Sequence, residues 1–97
     1  MAANHTRVTV GTSAAVQVLT GFTRLYGYSI ASATVPTSAT VYDAASTSDT
    51  TTPVLQLASQ RDITGGPLGG VTLLNGLMIN NTDATHACTY DIIYDVV

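Results

Sequence analysis

The sequence predicts an all-β fold: a single small antiparallel β-sandwich, jelly-roll-like or Ig-like, with little or no helix. Three observations carry this expectation. Lys and Glu, common residues of helix surfaces, are absent, while Thr, Val, Ile and Tyr recur. The C-terminal stretch alternates along its length with a period of two. Short apolar segments elsewhere are separated by turn-forming clusters, the spacing of a sandwich or small barrel. At 97 residues and 10.0 kDa the chain has room for one core, so 1–97 is expected to be one domain.

Eight segments read as strands: Arg7–Val10, Ala15–Thr20, Arg24–Ser32, Ala39–Asp43, Val54–Ala58, Val71–Leu74, Leu77–Asn80 and Ala87–Val97. Ser13–Leu19 is the one helix candidate, but it is short, and Ala15-Val16-Gln17-Val18-Leu19 fits a strand at least as well. Within Arg24–Ser32, Phe22, Tyr26, Tyr28 and Ile30 share a face with Arg24, opposite Leu25, Gly27, Ser29 and Ala31. A bulge at Gly27 would swap these faces partway, and the sequence leaves both readings open. Asn75-Gly76 is a two-residue hairpin signal between Val71–Leu74 and Leu77–Asn80. Asn80–Thr85 reads as the turn into the last strand. There His86, Cys88, Tyr90, Ile92, Tyr94 and Val96 are assigned to the core face, which exposes Asp91 and Asp95. Ala44–Thr52, tipped by Asp49, and the glycine-rich Ser59–Gly70 read as loops that carry contacts.

Charge is scarce. Six Asp and three Arg make only 9% of the chain, against about 25% in an ordinary soluble domain. A net charge of −3 with scattered Arg offers no footprint for nucleic acid. No run of 18 apolar residues predicts a membrane-spanning helix. The start, Met1 to Arg7, lacks the apolar region of a signal peptide, and the lone Cys88 has no internal disulfide partner; both predict folding in a reducing cytoplasm.

The inventory of chemistry predicts no enzyme, no cofactor and no metal. His86 and Cys88 share a strand face, but a structural zinc site needs four ligands and only His5 remains among the usual nitrogen and sulfur donors. Asp91 and Asp95 lie roughly 13 Å apart along a strand, too far for a shared calcium or a glycosidase pair. The segment Gly65-Gly66-Pro67-Leu68-Gly69-Gly70 lacks the Lys and the helix of a phosphate loop. Asn4-His5-Thr6 and Asn80-Asn81-Thr82 match the glycosylation triplet without a leader to give it meaning.

A charge-poor β module with no Lys to guard its sheet edges is expected to work packed against copies of itself and a larger surface. The residues before Val8 are small and polar, so 1–9 are expected to form an N-terminal arm. Such an arm would lie across an adjacent subunit, with Arg7 paired to a partner carboxylate, or else fray.

Arg7–Val16 resembles the opening of small structural proteins of tailed bacteriophages. Arg24–Ile30, Ala39–Asp43 and Asn75–Asn80 resemble small phage virion β-proteins more widely, among them capsid decoration, or cement, proteins. The resemblance is one of strand and turn style over about two-thirds of the chain. It implies a homotrimer that binds the major capsid protein on the virion surface after synthesis in the host cytoplasm, with no catalytic residue to carry over. Two other readings remain: a tail or fibre component whose loops recognise a host, and a free carbohydrate-binding sandwich. Exposed aromatics would favour the last, but Tyr26, Tyr28, Tyr90 and Tyr94 are expected to point inward.

Overall fold

A computed structural model of the chain describes residues 4–30, 39–56 and 71–96. They form eight strands and no helix: β1 (Asn4–Val10), β2 (Ala14–Thr20), β3 (Thr23–Ile30), β4 (Ala39–Asp43), β5 (Pro53–Gln56), β6 (Val71–Leu73), β7 (Gly76–Asn81) and β8 (Cys88–Val96). The Ser59–Gly70 loop, residues 1–3 of the expected arm and the ends of three expected strands, 31–32, 57–58 and 97, lie outside the described residues.

The strands build two four-stranded sheets, ordered β1-β8-β3-β6 and β2-β7-β4-β5, with every pairing antiparallel. β1 pairs with β8, β2 with β7, β3 with β6 and β4 with β5. The first half of the chain thus forms one long ribbon with the second half, rolled into two facing sheets. This is the double Greek key of a jelly roll.

The alternation explains the packing. Val8 and Val10 of β1, Tyr90 and Ile92 of β8, Val41 of β4, and Leu77 and Ile79 of β7 project between the sheets into one buried cluster. In β3 the inward set is Leu25 and then Tyr28, because the pairing with β8 shifts between Leu25 and Gly27. The bulge reading is therefore the correct one, and it takes Tyr26 out of the inward set: Tyr26 is only half-buried, unlike Tyr28.

Four further expectations are corrected. Residues 4–9 are no free arm: β1 pairs with β8 from Asn4↔Tyr94 to Val10↔Cys88, because Val8 and Val10 anchor it in the core. Asp95 is buried rather than exposed, since it stands opposite Arg24 of β3 inside the sheet. Val96, assigned to the core, is half exposed at the end of β8. Asn75-Gly76 does not close a hairpin. β6 belongs to one sheet and β7 to the other, so this pair is a corner between sheets.

A buried carboxylate fixes that corner. Asp43 accepts the backbone N–H of Leu74 at 3.0 Å and of Asn75 at 2.7 Å. Asn75 in turn accepts from the Gly21 N–H at 2.9 Å, joining the β2–β3 turn to the same end. Asp43→Asn keeps the shape but removes an acceptor and the charge. It is expected to cost about 1.5–3 kcal/mol in urea denaturation.

Candidate functional site

Three side-chain groupings stand out among the described residues. The first covers the outer face of β1 and β8, where the antiparallel register stacks rows of paired residues. Arg7 lies opposite Asp91 and Thr9 opposite Thr89. The Arg7 Nε donates to Asp91 Oδ1 at 2.8 Å and its Nη2 to Oδ2 at 3.2 Å, a bidentate fork. His5 Nε2 approaches the same Oδ1 at 3.4 Å, and Thr9 and Thr89 share a hydroxyl hydrogen bond of 3.0 Å. The bidentate partner expected on another subunit is thus supplied by this chain's own Asp91.

The Arg7 hydrogen bonds, opposed by partial desolvation, hold the Asp91 carboxyl below the usual carboxylate value of 3.8. A folded-state pKa lowered in this way stabilises the fold above the unfolded value and ceases to do so as pH falls through the folded one. The thermal midpoints of the wild type and Asp91→Asn are accordingly expected to differ at neutral pH. They should converge as acid takes the solution well below pH 3.8. A gap that persists in strong acid would assign it to packing rather than to the ion pair.

The second grouping lies at the end of the sandwich where the β1–β2 and β7–β8 connections meet. Asn81 Nδ2 donates to the carbonyls of Gly11 and His86, and Asn81 Oδ1 accepts from the Asp83 N–H. Asp83 then accepts from the Thr85 N–H, the Thr85 hydroxyl and the His86 N–H, and lies 2.9 Å from His86 Nδ1. These contacts shape the turn Thr82–Ala87, with Asp83 serving as the acceptor that the backbone of the turn requires. Ser13, in a left-handed conformation (φ 47°), ties in through its N–H to the Asp83 carbonyl.

The third grouping is apolar. Thr23 pairs with both Leu73 and Val96, which sets exposed Phe22, Leu74 and Val96 around one corner of the first sheet.

The register separates the two strand-borne ligand candidates, His5 and Cys88. His5 lies opposite Ile93, and Cys88 opposite Val10, at the two ends of the β1–β8 ladder. His86 hydrogen-bonds within its own turn. No group of three or more His, Cys, Asp or Glu converges among the described residues. Asp91 faces Arg7 while Asp95 stands opposite Arg24, so the two carboxylates belong to separate pairs of strands. Gly65–Gly70 falls outside the described residues. In the loop 44–52 Asp49 accepts both the N–H and the hydroxyl of Thr51, which orders a stretch that looks featureless in sequence.

The sheet edges differ from one another. β2 carries a register shift between Gln17 and Leu19, β5 begins with Pro53 and is shifted against β4, and β6 has three residues. Bulges, proline and shortness are the usual means of closing an edge. β1 has none: seven residues pair with β8 in unbroken register. The absence of Lys leaves all four edges alike in sequence; strand order and register single out β1. No family model, curated protein or solved structure matches this chain.

Proposed function

We propose that this chain is a structural virion protein of a tailed phage that decorates and stabilises the outer capsid surface. The observation that carries the reading is the scarcity of charge: 9% charged residues, with no Lys and no Glu, on a sandwich whose β1 edge pairs with no further strand among the described residues. Charge is depleted where proteins pack on one another, and a chain held in an assembly does not need a strongly charged surface to stay dispersed. The jelly roll is used by viral shells and by lectins alike, so the fold by itself favours neither. Tyr28 and Tyr90 are spent on the core, which leaves fewer aromatic faces for a sugar and weighs against the carbohydrate-binding reading.

In this reading the work is mechanical. Copies bound to the major capsid protein add contact area between neighbouring capsomers, and many modest contacts act together with high avidity. Mass spectrometry and electron cryomicroscopy of virions from the phage that encodes the chain provide the test. Density for the sandwich on the outer shell is the expected result. Its location on the tail, or its absence from purified virions, would overturn the proposal.

A further inference from the structure

We infer that two copies of this chain associate across a two-fold axis through the free edge of β1, joining two four-stranded sheets into one. This inference stands apart from the virion reading, because it rests on the edges and charges of the sandwich alone.

Four strands bound the two sheets, and three of them are closed to strand addition by a bulge, a proline or brevity. Among the described residues nothing pairs with the outer side of β1, which presents seven residues in regular register without Lys, Pro or a bulge. A ring built by strand addition needs a second open edge to receive β1. The other edges do not offer one, so the self-complementary arrangement is β1 against β1.

Charge and apolar cover select the register. A two-fold on Arg7 sets the two Arg7 guanidinium groups opposite each other, and like charges directly opposed destabilise a strand pair; one on Thr6 sets inward-facing Val8 against polar Asn4. A two-fold on Val8 opposes Val8 to Val8, Thr6 to Val10 and Arg7 to Thr9. The outer face then reads Asp91, Arg7, Thr9, Thr89 across the joint, with the last two from the other copy and no cations opposed. On the inner face the Val8 side chains, each 8% exposed, complete one another's cover and extend the Tyr90 row across the axis.

Sedimentation of the full chain over a range of concentrations tests this, with Thr9→Lys and Thr9→Asp as paired variants. The wild type is expected to reach twice the 10.0 kDa chain mass. Thr9→Lys places a cation opposite the other copy's Arg7 at both symmetry-related positions and should weaken association about tenfold. Thr9→Asp offers that Arg7 a carboxylate and should not weaken it. Backbone amides of β1 should gain protection from hydrogen exchange as concentration rises. A wild type that stays monomeric at every concentration, or forms a trimer, would overturn the inference. So would equal effects of the two variants, or a dimer whose β1 amides gain no protection.

Discussion

Replacing Gly76 by alanine is expected to destabilise the fold severely, and far more than the same change at Gly21. Two independent costs add. Gly76 has φ +147°, a region that side-chain-bearing residues rarely adopt. A Cβ there would lie 2.5 Å from the Leu19 carbonyl oxygen and 2.7 Å from that of Ala44, both backbone atoms of neighbouring strand ends. Neither can retreat freely: Gln17 Nε2 donates to both carbonyls at 2.7 Å, and the Ala44 N–H donates to the Gly76 carbonyl. The combined loss should exceed about 4 kcal/mol, a large part of the roughly 5–15 kcal/mol that holds an ordinary domain together. Gly21 is the internal control. Its φ is +87°, but a Cβ would meet nothing within 4 Å, so Gly21→Ala carries the strain without the collision. Circular dichroism melts of the two variants should show a cost near 1 kcal/mol for Gly21→Ala. Similar melts would mean that the Gly76 corner relaxes and the collision is not real.

The same glycine marks the limit of what the sequence reveals. All eight strands were legible because alternation and turn-forming residues act over a few positions. The Asn75-Gly76 signal was legible too, but as the wrong object. That dipeptide specifies a sharp local reversal, whereas the Asp43 carboxylate takes the N–H groups of Leu74 and Asn75 and turns the chain into the facing sheet. Nothing near position 75 encodes a partner 32 residues away. Arg7 repeats the lesson. Its capacity for a bidentate carboxylate is intrinsic to the guanidinium, but the identity of that carboxylate follows from pairing β1 with β8 across 84 residues. Asp95 was placed on the outward face by alternation, and its burial depends on the neighbouring strands that the pattern omits. The open β1 edge was invisible for a related reason. Edges are properties of strand order, and the order of a jelly roll pairs the first strand with the last.

Tyr90→Ala is expected to cost about 3–5 kcal/mol, read as a fall in the urea midpoint. Tyr90 is the largest of the fully buried side chains and sits on the central strand β8, between β1 and β3. Its ring meets that of Tyr28 edge to face, with centroids 6.3 Å apart and planes at 75°. Truncation removes the transfer energy of the ring and leaves a cavity that two flanking strands in fixed register cannot collapse to fill. Part of the loss belongs to the ring pair rather than to burial, and a double-mutant cycle separates the two. With Tyr28→Leu and Tyr90→Leu as the single variants, which keep apolar volume but lose the aromatic edge, the coupling energy should fall near 0.5–1.5 kcal/mol. A coupling indistinguishable from zero would assign the whole effect to volume. A loss under about 1 kcal/mol for Tyr90→Ala would be incompatible with this side chain at the centre of the core, since a partly exposed aromatic is the kind that can be truncated so cheaply. The two outcomes are independent, because burial follows from the strand order and the ring pair follows from the β3 bulge that turns Tyr28, rather than Tyr26, toward β8.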